Sequence, residues 1–127
     1  MDTRGNLVAI RVHAANIQDH EGAEYALRAI LTTDCSRLAK VLADKGYRSE
    51  DLDTWVNEVL EVPLELVGGS PGQKGFVVHQ WRWLVERTLA WLSRHRRLAK
   101  DVERLAQTTE AFACLAMVHL LLKRFDP

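Results

Sequence analysis

The chain has 127 residues, 17 basic against 17 acidic, with 47% apolar and 27% charged residues; this suits one globular domain with one core and excludes a disordered chain or a coiled coil. The net charge of zero conceals a division: between Pro71 and Arg104, eight basic residues (Lys74, Arg82, Arg87, Arg94, Arg96, Arg97, Lys100 and Arg104) face three acids, so the rest of the chain carries the opposite excess of five. Such asymmetry points to a polyanion-binding face, although solvated helix faces are often basic as well. Cys35 and Cys114 lack metal-ligand spacing and support neither a zinc site nor a disulfide framework, so a reduced, cytoplasmic setting is expected. No basic-then-apolar leader opens the chain, and the longest apolar run, "AFACLAMVHLLL", is too short for the roughly 20 residues of a membrane span.

In chain order, "RGN" is a turn signal ahead of the β-branched run Leu7–His13, which predicts a hairpin whose first strand ends near Asp2–Arg4. "DHEGAEYALRAILTT" predicts a helix with Asp19 as N-cap and Ala23, Ala26, Leu27 and Ile30 at helical spacing. "RLAKVLAD" (Arg37–Asp44) predicts a strand, the order expected of a crossover unit, and "KGY" ends it. "SEDLDTWVNEVL" predicts a helix capped by Ser49, with Leu52, Trp55, Val56 and Val59 on one face. "VPLELV" predicts another strand and "GGSPGQKG" a loop. The segment 81–97 predicts a basic helix with its apolar stripe at 81, 84, 85, 88, 91 and 92, and a last helix runs from about Thr109 to Arg124.

Glu86 is the only acid within 81–97, among five arginines. It has an ordinary reading, an i,i+4 ion pair with Arg82. Asp44 likewise reads as a turn or cap residue before Gly46, Asp2 as a terminal residue, and the tryptophans as core. The five histidines share no ligand spacing. The chemical alternative is that Asp2 and Asp44, at strand ends, converge with Glu86 at the rim of a sheet. Three such carboxylates are hard oxygen ligands suited to a pair of Mg²⁺ or Mn²⁺ ions in phosphodiester chemistry.

"VHAANIQDHEGA", "LADKGYRSEDLDTWV" and "QKGFVVHQWRWLVERTLAWLSRHRRLAKDVERL" resemble the catalytic domain of bacterial insertion-sequence transposases with an Asp-Asp-Glu triad, in the group of insertion sequence five. The likeness runs over essentially the whole chain. It implies an α/β, ribonuclease-H-like mixed sheet flanked by helices, truncated here in its first strand because Met1 alone precedes Asp2. By motif, the triad falls on Asp2, Asp44 and Glu86, as ligands of two Mg²⁺ or Mn²⁺ ions. The family's helix signature runs Tyr, two residues, Arg, three residues, Glu, six residues, then Lys or Arg. Arg82 and Glu86 fit it, whereas His79 stands at the Tyr position and Ser93 at the final basic one, with Arg94 one residue late.

The implied activity is cleavage and strand transfer of the element's DNA ends. Arg82, Arg87, Arg94, Arg96, Arg97 and Lys100 would contact phosphates without choosing sequence. Domain 1–127 is then a partial catalytic domain of a homo-oligomer, acting on element ends and target DNA, and completed by an upstream transposase polypeptide. Little activity is expected of this chain alone. The rivals are an inactive remnant that binds DNA or intact transposase, and an unrelated helical interaction module.

Overall fold

A computed structural model describes residues 1–68, 81–100 and 102–125. It divides into two units, His13–His79, and Met1–Val12 with Gln80–Pro127.

The first unit is built on a parallel strand pair. Strand β1 (Val41–Asp44) lies beside β2 (Leu64–Val67), with Val41 opposite Leu64 and Asp44 opposite Val67. Parallel neighbours need a long crossover, and helix α2 (Glu50–Val59) supplies it. Ser49 caps α2 as its sequence predicts: in extended conformation, its hydroxyl accepts the Leu52 amide at 3.4 Å, and Glu50, Asp51 and Asp53 stand at the positive helix end. Of the predicted stripe, Leu52 and Val56 are buried and Trp55 is half-buried, whereas Val59 is 41% exposed. Past the helix, Glu61 turns the chain at φ 55°, the left-handed position that usually follows a helix C-terminus.

Helix α1 (Asp19–Arg28) packs against α2 and the 3₁₀ turn Lys45–Tyr47. Its buried Gly22 lies against the His13 imidazole, where no Cβ would fit. Two expectations change here. Asp19 is the first helical residue and not the cap; Gln18 occupies the cap position without a side-chain bond, so Asp19 serves the helix through its charge. The strand predicted over Arg37–Asp44 is halved, because only Val41–Asp44 pairs with β2.

The second unit joins the N-terminal segment to helices α3 (Arg82–Ser93), α4 (Arg96–Ala99) and α5 (Ala106–Phe125). The "RGN" turn forms as expected. The amide of Gly5 bonds to the carbonyl of Asp2 at 3.1 Å, that of Asp2 to the carbonyl of Asn6 at 2.9 Å, and Gly5 adopts φ 82°. This is a three-residue hairpin loop, a turn followed by a left-handed glycine. The strand predicted to leave it does not form. Residues 7–12 have no ladder partner among the described residues, and β-branched propensity does not make a strand without a neighbour.

Leu84, Thr88 and Leu92 of α3 and Ala113, Ala116 and Met117 of α5 are buried. Val85, predicted within the stripe, is 43% exposed. The single helix predicted over 81–97 breaks after Ser93, whose hydroxyl bonds back to the Ala90 carbonyl at 2.9 Å, while the Arg94 and His95 amides tighten into i−3 bonds. The ribonuclease-H-like mixed sheet thus reduces, among the described residues, to one two-stranded parallel sheet flanked by helices. The predicted loop from Gly69 onward and His79 lie outside the described residues.

Candidate functional site

Asp44 ends β1 and opens the turn Lys45–Tyr47. One carboxylate oxygen accepts the amide of Lys45 at 2.7 Å; among the described residues the other accepts nothing. The side chain is exposed at the C-terminal rim of the parallel pair, the edge where open α/β sheets place their ligands. Two neighbours were not singled out by sequence reasoning. Gly46 lies against Asp19, 4.0 Å from that carboxylate to the place a Cβ would take, so α1 brings its first acid to the same rim. The Tyr47 phenol is pushed above its ordinary pKa by partial burial first, then by the charges of Asp19 and Asp44. Asp19 had read only as a helix cap and "KGY" only as a breaker, so no local signal joined them.

Asp2 is placed differently. It opens the hairpin turn and not a strand end, and its carboxylate is filled from within that turn. Oδ1 accepts the amides of Arg4 and Asn6, both at 2.9 Å, and Oδ2 accepts the Asn6 side-chain amide at 2.8 Å. Partial burial alone would raise its pKa, but these donors and the N-terminal amine outweigh it and hold the carboxyl below the ordinary aspartate value. The turn is then held on α3. The buried Thr88 hydroxyl donates to the Gly5 carbonyl at 3.1 Å, and the Arg87 guanidinium donates to that of Arg4 at 3.1 Å. Arg124 of α5 donates to the Asn6 side-chain oxygen at 2.6 Å.

Glu86 projects from α3 to solvent, paired with Arg82 at 3.1 Å, with the two side chains 66% and 69% exposed. The ordinary reading of that pair is therefore present, but at such exposure it is worth only about 0.3–0.5 kcal/mol, weak enough to yield to a better partner. Glu86 and Asp2 belong to one unit and Asp44 to the other. Among the described residues no three or more His, Cys, Asp or Glu side chains gather as a metal site.

The six basic residues read as phosphate contacts fall into two groups. Arg87 is committed inside its own unit. Its guanidinium lies 4.5 Å from the Trp83 ring centre and 4.6 Å from that of Trp91, with the buried Nε finding no acceptor among the described residues. Arg97 is partly committed, paired with Glu103 at 3.0 Å and placed 4.9 Å over the Phe112 ring. Arg94, Arg96 and Lys100 are exposed and make no ion pair among the described residues. With Arg82 they form the outward charge of α3, α4 and the segment after them. The aromatic rings that could have been base-stacking platforms instead hold arginines, a use that composition does not distinguish. Cys35 and Cys114 are free thiols. None of the described helices is long and apolar enough to cross a membrane.

One unit carries a parallel strand pair with acids at its C-terminal rim and the other a basic helical face, which makes this an α/β protein. Residues 41–123, well over half of the chain, match the family described as Transposase DDE domain, and the chain belongs to that family. Membership makes this a transposase domain, whose partner is DNA and whose relatives generally use divalent metal ions. The matched segment contains Asp44 and Glu86 and begins after Asp2. No curated protein and no solved structure matches the chain.

Proposed function

We infer that the chain is part of the catalytic domain of an insertion-sequence transposase of the insertion-sequence-five group, with both units belonging to one ribonuclease-H-like domain. It acts with Mg²⁺ or Mn²⁺ to cut element ends and transfer them into target DNA. The observation that carries this reading is the placement of Asp44: an exposed carboxylate with one oxygen unengaged among the described residues, at the C-terminal end of a parallel strand, inside the segment that matches the transposase family.

The donors fit the ions unequally. Asp44 offers a hard oxygen at no cost in internal bonds, and Glu86 needs only to give up an exposed ion pair. Asp2, the third ligand by resemblance, does not fit in this conformation, because binding would cost three bonds within its turn. We therefore assign Asp44 and Glu86 to the metal and Asp2 to the turn. When bound, paired divalent ions activate an attacking oxygen and stabilise the leaving one. The chain's own part is to hold those oxygens, to keep DNA on the face formed by Arg82, Arg94, Arg96, Arg97 and Lys100, and to shield phosphate charge there.

The reading is tested with supercoiled plasmid and Mg²⁺ or Mn²⁺, using the chain alone and with an intact transposase of the same family added. Nicking should occur in the mixture and should fall when the Asp44→Ala, Glu86→Ala double variant of a full-length form is used, with little nicking by the chain alone. Nicking that survives the double substitution would refute the assignment. DNA binding by the chain without any contribution to nicking would establish the noncatalytic rival instead.

A further inference from the structure

At the break between α3 and α4, the His95 imidazole meets that of His119 on α5, with ring centres 5.7 Å apart and planes at 89°. His95 is half-buried and its backbone is fixed, its carbonyl accepting the amides of Leu98 at 2.9 Å and Ala99 at 3.0 Å, while His119 is exposed. Neither ring makes a hydrogen bond or ion pair with a described residue. We propose that this pair is a binding site for a DNA backbone phosphate, and that it takes up protons as the phosphate binds.

The charges around the pair decide the sign of its ligand. Beside His95 stand Arg94 and Arg96, exposed and in no ion pair among the described residues, and Arg97, which Glu103 holds. On α5, Lys123 lies one turn beyond His119 and is likewise exposed, with no ion pair among the described residues. The described carboxylates of this unit are all engaged elsewhere: Asp2 in its turn, Glu86 with Arg82, Glu103 with Arg97, and Glu110 with Arg11 and the Val12 amide. A metal ion would be repelled by these cations, and no third His, Cys, Asp or Glu joins the pair among the described residues. An anion from outside is attracted by them.

Charge-assisted N–H···O bonds are about 2.7–2.9 Å long, so two rings at this separation can both donate to one phosphate group. Without an anion, a proton added to either ring is opposed by Arg94, Arg96 and Lys123; with a phosphate in place, the same proton completes a charged hydrogen bond. By linkage, the proton then favours the phosphate as much as the phosphate favours the proton. Histidine is the side chain that changes charge between about pH 5 and pH 8, so affinity for DNA should rise as pH falls through that range. The inference rests on the DNA face proposed above, which it extends from α4 to α5, and it makes no use of the metal ligands.

The experiment is fluorescence anisotropy with a short mixed-sequence duplex at one salt concentration, reading the ratio of affinities at about pH 6 and about pH 8. The unmodified chain should bind about tenfold or more tighter at the lower pH. His95→Gln with His119→Gln should bring that ratio to within about twofold, whereas His20→Gln, in the other unit, keeps it. His119→Lys makes one charge permanent, and should raise affinity at the higher pH and shrink the ratio. A full ratio in the double histidine variant overturns the proposal, as does unchanged affinity at the higher pH in His119→Lys. Arg94→Ala with Arg96→Ala separates this result from the reading beneath it. If that variant loses affinity at both pH values while the double histidine variant keeps its ratio, the DNA face stands and only the histidine site falls. If it loses none, the face itself falls, and the histidine site with it.

Discussion

Asp2 and Asp44 are the same residue type, each followed within a few positions by a glycine and each read from sequence as a candidate ligand. In the structure they differ in what their oxygens do. Asp2 accepts three hydrogen bonds from its own turn, and that turn is tied to α3 by Thr88 and Arg87 and to α5 by Arg124. Asp44 is exposed and, among the described residues, accepts only one backbone amide. A carboxylate that is structurally satisfied lowers the energy of its fold, whereas one left unsatisfied at a strand rim contributes little to stability and is available for chemistry. Accounting for each oxygen separates the two where residue type and spacing do not.

The largest effect that would break this comparison lies beneath the Asp2 turn. A Cβ at Gly5 would lie 2.8 Å from the Thr88 hydroxyl oxygen, at φ 82°. Gly5→Ala should therefore cost about 2–4 kcal/mol from left-handed strain and overpacking together, measured by urea unfolding. A loss under about 0.5 kcal/mol would mean the turn is not held on α3 as described.

Next is Asp2 itself. Asp2→Ala should cost about 1–2 kcal/mol, the scale of losing a side-chain cap. The pH dependence has a definite sign. A carboxyl whose folded pKa is depressed contributes stability above its unfolded value of about 3.9, and that contribution is lost as pH falls through the lower folded value. The unmodified chain should thus lose stability more steeply than the variant as pH falls from about 5 toward 2. Parallel acid limbs would show that the turn donors do not hold the charge.

The smallest stability effect is expected at the proposed ligands. Asp44→Asn and Glu86→Gln should each change unfolding free energy by less than about 0.5 kcal/mol, Glu86 because its pair with Arg82 is exposed on both sides. A cost above about 1 kcal/mol at Asp44 would place it with Asp2 among structural residues.

What was legible in the sequence follows the range of the forces involved. The Ser49 cap, helix α2 with Leu52 and Val56 inward, β2, the "RGN" turn and the last helix are set by residues within a turn or two of each other, and they form where expected. The strand at Leu7–His13 depends on a partner, and propensity alone could not supply one. The break at His95 comes without a glycine or proline to announce it. At the candidate site, the basic excess of 71–104 was visible as charge, but the capture of Arg87 between Trp83 and Trp91 depends on side-chain geometry within α3. The approach of Asp19 to the Asp44 rim depends on the packing of α1 against the turn Lys45–Tyr47, which no spacing rule encodes.

The most direct measurement is Mn²⁺ affinity, read from the electron paramagnetic resonance signal of the free ion in titrations of the unmodified chain, Asp44→Asn and Asp2→Asn, each first shown to be folded. Asp44→Asn should weaken binding about tenfold or more, on the scale at which lost metal-site residues act, while Asp2→Asn leaves it within about twofold. The reverse order, with affinity lost at Asp2 and kept at Asp44, would contradict the division of labour between the two aspartates.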